Sequence, residues 1–432
     1  MKRTLNVGLI GFGMIGKVHA FGYATLPYYA PELEVAGKIV AVATRRQETA
    51  ERAKETIGCQ IATTDYRQII ASPEIDVVHI CTPNGEHLPA LIEAIRANKH
   101  IYCEKPLVVD GDEARQIREA LEERDADGMK KYRGITQTAF HLRGFAAIRR
   151  AKELIDSGRL GQIVQYRVGY YHTSMLSPCA PFRWKHDFKG GSILDLASHL
   201  FDLVDYLVGL PSEMIAQSTT LCATRPTRAL APGEVLSAVP SKSVLAEDSV
   251  VLLTRGLDEA SSRRRVPCLD ASKIYEYPAN AQATEGVMPL GVADPSSPAA
   301  LTGVIEATKL ANGAEDDLRL EISGTRGALR FSLMNSHILE FFDGTRPSEP
   351  YGGESGRLQI ACGGRYPSPE SEFPSPKSTT GWIRAHVASL ATFYRSIAAN
   401  TAFGPDFAQA LRIQNALDIA KRSCAKRTWE RV

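Results

Sequence analysis

Short apolar runs alternate with stretches of helical spacing through the first third of the chain. The runs at residues 7–10, 38–43, 76–81, 100–103 and 134–138 are β-branched or aliphatic, and predict buried parallel strands. Between them, the i, i+3, i+4 recurrence of apolar positions predicts helices over 15–24, 48–57, 66–71, 86–98 and 113–124. Continuous apolar strands alternating with helices indicate a doubly wound parallel sheet, the Rossmann arrangement. A further helix is predicted over 146–157, ended by Gly158 and Gly161.

From residue 162 the pattern changes. Positions 162–171 alternate in strand fashion, and 190–209 contain a strong amphipathic helix. Strand-like stretches then follow at 214–222, 249–254, 301–309, 319–323 and 328–331 with few helices between them. Strands without crossover helices predict an antiparallel or mixed sheet. Helices are predicted over 383–399 and 407–422. The expected organisation is α/β: an N-terminal Rossmann domain over 1–140, then an α+β domain over 141–432. Residues 256–300 form an insertion, and 256–300 and 347–380 are both expected as Gly/Pro/Ser-rich surface loops.

At 432 residues the chain can bury more than one core. The 51 basic and 49 acidic residues leave a net charge of +2, which gives no electrostatic reason for a nucleic-acid or anionic-membrane partner. The one basic run, Arg263-Arg264-Arg265, is expected on a solvated loop. Eight cysteines lie scattered with no C-x-x-C pair, which argues against a zinc ribbon or a disulfide framework and for a reducing, cytoplasmic compartment. The start Met1-Lys2-Arg3 superficially suggests a leader, but Asn6 and the glycines that follow break the apolar stretch. No segment is apolar for long enough to span a bilayer.

Gly11-Phe12-Gly13-Met14-Ile15-Gly16 is G-x-G-x-x-G, directly after a predicted strand and opening a predicted helix. In that setting Gly11 permits the tight turn, Gly13 lets the backbone approach a pyrophosphate, and Gly16 lets helix and strand pack closely. The helix N-terminus offers free N–H groups to phosphate. The second strand is followed by Thr44-Arg45-Arg46 and no carboxylate. Two guanidiniums and a hydroxyl suit a 2′-phosphate, which favours NADP, with NAD the alternative. The fourth and fifth strands lead into Cys81-Thr82-Pro83-Asn84 and Glu104-Lys105-Pro106, at the edge where such sheets bind ligands. Lys105 could stabilise a developing alkoxide. Asp195 and His199 are four apart on one predicted helix, with histidine as proton acceptor and Asp195 orienting it or binding a substrate hydroxyl. Asp195, His199 and Asp202 could instead ligate a metal, but too few further ligand residues lie nearby, and no metal is expected.

Together these segments resemble the glucose–fructose oxidoreductase/inositol dehydrogenase (Gfo/Idh/MocA) family. The likeness extends through 76–84 with His87, through Glu321-Ile322-Ser323-Gly324-Thr325-Arg326-Gly327, and to the final helix. The resemblance implies a second domain built on a large open, mostly antiparallel sheet, commonly the interface of homodimers or homotetramers. It places Lys105 at nicotinamide and substrate, makes His199 the general acid/base with Asp195 its neighbour, and makes Thr82, Pro83, Asn84, His87 and Glu104 cofactor contacts. It points to a sugar, cyclitol or glycoside as substrate, with His141, Arg143, Tyr171, Arg183 and Trp184 as candidate substrate contacts. Ser192 and Ala197 stand where many members have glycine; both are small. Two other activities share these features: a redox-assisted lyase or glycoside-cleaving enzyme, and a non-catalytic dinucleotide-binding regulator.

Overall fold

The structure, a computed structural model, describes residues 3–264, 301–363, 373–375, 377–379 and 381–432. Most of the 256–300 insertion and part of 347–380 therefore lie outside the described residues. So do Arg265 and the side chains of Arg263 and Arg264.

The N-terminal half of the fold alternates strand and helix: β1 (Arg3–Ile10), α1 (Met14–Tyr29), β2 (Val35–Ala43), α2 (Gln47–Ile57), β3 (Ile61–Thr63), α3 (Tyr66–Ala71), β4 (Val77–Ile80), α4 (His87–Arg96), β5 (His100–Cys103), α5 (Gly111–Glu122) and β6 (Thr136–Thr138). The strands form one parallel sheet in the order β3-β2-β1-β4-β5-β6. Strand order reverses between β1 and β4, so the loops after β1, β4 and β5 open a crevice at the carboxyl edge. Val7, Leu9, Val77, Val78, Ile101 and Tyr102 are fully buried, as expected of strands covered on both faces.

The chain continues through α6 (Ala146–Asp156), β7 (Ile163–Tyr171), α7 (Ser198–Leu207), β8 (Glu213–Thr219), β9 (Thr224–Pro226), β10 (Ser241–Ser243), β11 (Ser249–Arg255), α8 (Glu259–Arg264), β12 (Thr302–Thr308), β13 (Asp317–Gly324), β14 (Gly327–Ser332), β15 (Ile338–Asp343), β16 (Arg357–Ala361), α9 (Trp382–Ala399), α10 (Phe407–Lys426) and β17 (Glu430–Arg431). Nine of these strands make a second sheet, ordered β16-β15-β14-β13-β7-β12-β11-β8-β17. Every pairing in it is antiparallel except β12 with β7. Alternation decides its two faces. Val168, Tyr170, Val250, Leu252, Ile305, Leu318 and Leu320 point into a core shared with Leu200, Leu203, Leu207, Phe407 and Leu411 of α7 and α10. Their neighbours Val251 (42%) and Leu253 (51%) are exposed on the opposite face.

The structure departs from the sequence pattern in four ways. Strands β3, β9, β10 and β17 are two or three residues long, too short to show a period. Strands β15 and β16 were not expected, and β16 lies inside 347–380, predicted as loop. It exists because Arg357–Ala361 hydrogen-bonds along β15, a pairing that local composition does not encode. The helix predicted over 190–209 is interrupted by a π-helical turn, Ile193–Ala197, just before α7. Finally, α9 returns to the first sheet. Its Val387, Leu390, Ala391, Phe393, Tyr394 and Ile397 pack with Leu5, Val7, Leu9, Tyr23 and Leu26, although all of the second sheet's long strands lie between them in sequence. Burying Leu390 and Phe393 stabilises this docking by about 1.5–3 kcal/mol each.

Candidate active site

The loop after β1 is shaped to receive a phosphate group. Gly11 adopts φ +95°, where a side chain is strained, and a Cβ there would lie 2.7 Å from the Cys81 carbonyl oxygen. A Cβ on Gly16 would meet the Gly11 carbonyl oxygen at 2.4 Å, so only glycine lets α1 start this close to β1. Gly13 is the reverse case: a Cβ there would meet nothing within 4 Å. Gly13 is also the N-cap of α1, and no side chain caps the helix. Open space in front of an uncapped helix N-terminus fits a dinucleotide pyrophosphate. At the end of β2, the Thr44 hydroxyl donates to the Arg46 carbonyl (3.0 Å), while the Arg45 and Arg46 side chains extend into solvent.

After β4 and β5, Asn84, His87 and Glu104 are buried, Thr82 and Lys105 are half-buried and Pro83 is exposed. Both nitrogens of buried His87 face main-chain carbonyls, Nδ1 that of Pro106 (3.0 Å) and Nε2 that of Thr82 (2.9 Å). His87 thus ties the two loops together. Glu104 has both oxygens engaged. Oε1 accepts from His19 Nε2 at 2.6 Å, and Oε2 accepts from the Lys105 N–H at 3.1 Å. Two of the residues expected as cofactor contacts, His87 and Glu104, brace Thr82 and Lys105 through these bonds. Asn84 donates through Nδ2 to the Lys189 carbonyl (3.2 Å), linking this edge to the second half of the fold. Pro83 precedes it as the N-cap of a short turn, and the buried Thr82 hydroxyl has no partner among the described residues.

Lys105 leaves the end of β5 and donates to Asp195 twice, to its main-chain oxygen (2.8 Å) and to Oδ1 (3.0 Å). The π turn carries Asp195, and such insertions re-aim main-chain groups at functional sites. Of the two roles expected for Asp195, orienting His199 by a hydrogen bond is not the one its partners allow. Its carboxylate is taken by three lysines: Lys105, Lys185 at 2.9 Å and Lys309 at 3.2 Å. Burial opposes ionisation of Asp195, but Lys105, Lys309 and Lys185 outweigh it and hold the carboxyl well below its usual range. Lys309 is 3% exposed, and burial lowers its ammonium below the ordinary lysine value.

His199 is buried at the start of α7, with its Nδ1 unpartnered among the described residues. His141 lies 5.2 Å away, Tyr170 5.9 Å and Phe140 6.2 Å, ring centroid to centroid. Burial first, and the Lys105 charge second, push its imidazole well below the ordinary histidine range. A neutral imidazole beside an ammonium that can hold an alkoxide is suited to accept a hydroxyl proton near pH 7. Tyr170 donates to Asp316 Oδ1 at 2.6 Å, and His172 approaches the same oxygen at 3.1 Å.

Among the substrate candidates, His141 stands beside His199, and exposed Trp184 has the ammonium of Lys185, a partner of Asp195, 5.6 Å from its ring centroid; Arg183 is exposed next to it in sequence. Two expectations require correction. Tyr171 points to the opposite face of the sheet and donates to Glu306 Oε2 (3.0 Å), because strand alternation gives the His199 side to Tyr170. Arg143 is committed to buried Asp202 by two contacts, 2.8 and 2.5 Å, and to Gln409 at 3.2 Å. Burial pushes Asp202 up to about 6 in spite of that arginine. Lys185, Lys309, Tyr170, His172 and Asp316 were not anticipated. Only the lysine ending the strand-like stretch 301–309 carried any signal.

A Rossmann sheet with an uncapped glycine loop, and a half-buried lysine and a buried histidine at the edge beside it, defines a dinucleotide-dependent oxidoreductase. The chain belongs to the GFO/IDH/MocA family: its residues 5–129 match the family's NAD-binding Rossmann domain and 148–255 match the GFO/IDH/MocA C-terminal domain. It is 28% identical to a levoglucosan dehydrogenase of Pseudarthrobacter phenanthrenivorans over 99% of this chain and 98% of that one. It is 32% identical to an inositol 2-dehydrogenase of Rhizobium meliloti, over 48% of this chain and 55% of that one. A solved levoglucosan dehydrogenase in complex with NADH superposes with a TM-score of 0.82 at 26% identity, covering 100% of this chain and 99% of that chain. No described helix is long and apolar enough to cross a membrane.

Proposed function

We propose that the chain is an NAD(P)-dependent dehydrogenase that oxidises a secondary hydroxyl of a sugar, anhydrosugar or cyclitol, and reduces the corresponding ketone in reverse. The observation that carries this reading is Lys105, held at the β5 edge by Asp195 and Glu104 with the neutral His199 close behind. The solved relative with NADH and levoglucosan, TM-score 0.81 at 26% identity, supports the substrate class.

The dinucleotide would lie against Gly11, Gly13 and the α1 N-terminus, with Thr44, Arg45 and Arg46 at the adenosine ribose. Two exposed guanidiniums and no carboxylate after β2 favour a 2′-phosphate, hence NADP. When bound, the nicotinamide supplies hydride transfer. Lys105 donates a hydrogen bond to the reacting hydroxyl oxygen and offsets the charge that develops there. His199 accepts the hydroxyl proton, and returns it in the reductive direction. Asp195 holds the ammonium of Lys105 in one position, and His141 and Trp184 bound the space left for the polyol. We assign 1–140 to the nucleotide domain and 141–432 to the substrate domain, with the exposed sheet face carrying Val251 and Leu253 as the self-association surface. Free buried thiols at Cys59, Cys81, Cys103 and Cys362 fit a reducing cytoplasm.

The test is formation of reduced nicotinamide by the purified protein across a panel of sugars, anhydrosugars and cyclitols, with Lys105→Ala in parallel. Lys105→Ala should lower kcat/KM by about 100-fold or more, the scale for loss of one charge-stabilising donor, while dinucleotide affinity changes little. Full activity in that variant removes Lys105 from the reaction.

A further inference from the structure

Five histidines form one buried group behind the site: His199, His141, His386, His19 and His79, with successive ring centroids 5.2, 3.9, 5.3 and 4.7 Å apart. Buried polar atoms almost always have hydrogen-bond partners. His386 is 2% exposed, yet neither its Nδ1 nor its Nε2 has one among the described residues. One ligating atom each from His19, Glu104 and His386 lie within 4.8 Å of one another, and all three residues are buried.

We propose that His19, Glu104 and His386 form a binding site for a divalent transition-metal ion of the zinc class. Two imidazoles and a carboxylate are a donor set that Zn²⁺ accepts at about 2.0–2.2 Å, whereas Mg²⁺ and Ca²⁺ take oxygen ligands. Ligand atoms around a tetrahedral ion stand about 3.3 Å apart. The His19–Glu104 contact of 2.6 Å must therefore open slightly, while His386 draws in. Both ring nitrogens of His386 lack a partner among the described residues, so one is free to ligate. The three ligands come from α1, the edge of β5 and α9, so the ion cross-links three elements that are distant in sequence. Glu104 also accepts the Lys105 N–H, so the ion would fix the main chain that carries Lys105. Its role is positional, at one remove from the substrate.

The experiment is titration of the chelator-treated full chain with Zn²⁺ by calorimetry and with Co²⁺ by absorption spectroscopy, each repeated on His386→Gln. The expected result is one ion per chain, a raised thermal midpoint, visible Co²⁺ bands without a thiolate charge-transfer band, and affinity at least about tenfold weaker in His386→Gln. Three results each overturn the proposal: no stoichiometric binding, unchanged affinity in folded His386→Gln, or a thiolate band. The last would assign the ion to the alternative set His19, His79 and Cys81. Where His386→Gln does not fold, the wild-type stoichiometry and Co²⁺ spectrum decide.

Discussion

Replacing Asp195 with asparagine preserves shape and removes the single charge on which three lysines converge. The ammoniums of Lys185, Lys105 and Lys309 stand 2.9, 3.0 and 3.2 Å from its oxygens. At an effective dielectric of about 20, each contact is a gross attraction of about 5–6 kcal/mol, offset by lysine–lysine repulsion and by desolvation. Removing one partner of a buried pair costs about 3–5 kcal/mol net, because the remaining charge is left uncompensated. Lys309 carries most of that cost, since Lys185 can turn to solvent. The pH dependence follows from the same residue. Burial already holds Lys309 below the ordinary lysine value of 10.5, with Asp195 acting in the opposite direction. Without Asp195 its folded value falls further, while the unfolded value is unchanged. Between the two values the unfolded chain binds more protons, so stability rises with pH, and more steeply in the variant. The deficit of Asp195→Asn should be largest near pH 7 and shrink toward pH 9.5, followed by urea or thermal midpoints of both proteins. A deficit under about 1 kcal/mol, or one constant across that range, refutes the reasoning.

Two further predictions concern the site. The acid limb of kcat/KM for alcohol oxidation should lie below the ordinary histidine value of 6.5, because burial and Lys105 keep His199 unprotonated to lower pH. In the residual activity of Lys105→Ala that limb should move up toward 6.5, and a limb that stays in place separates His199 from Lys105. Gly16→Val should abolish dinucleotide binding and destabilise the fold by about 1–3 kcal/mol, since its Cβ would meet a carbonyl oxygen at 2.4 Å that backbone alone could relieve. Fluorescence titration and a denaturation curve check both parts.

The local elements of this protein were largely legible in the sequence, and its long-range pairings were not. The glycine loop, the parallel strands and the position of Lys105 at a strand edge follow from period and punctuation within a few dozen residues. His199 was legible from its helix. The roles of Glu104 and His87 were not, because His19 and the carbonyls they bind arrive through packing. Lys309 and Asp316 reach the site from just after β12 and the turn before β13, more than 100 residues from Asp195; the strand-like period that ends at Lys309 was the one local signal, and Asp316 had none. Tyr171, and not Tyr170, was expected at the site: alternation shows which residues share a face, and only the sheet's packing decides which face is inside. Arg143 carries a charge near the crevice in sequence terms, but a buried carboxylate on α7 claims it.

The central claim is that the crevice at the carboxyl edge of the first sheet holds a nicotinamide dinucleotide, with Arg45 and Arg46 at the 2′ position. Fluorescence titration of the folded, nucleotide-free protein with NADPH and with NADH, on wild type and on Arg45→Ala/Arg46→Ala, tests it most directly. The account predicts saturable binding of both, tighter for NADPH, with at least about tenfold of that preference lost in the double variant, as expected for charge-assisted contacts to a phosphate. Tighter NADH binding would contradict the reading of the arginines, and binding of neither nucleotide would contradict the oxidoreductase site itself.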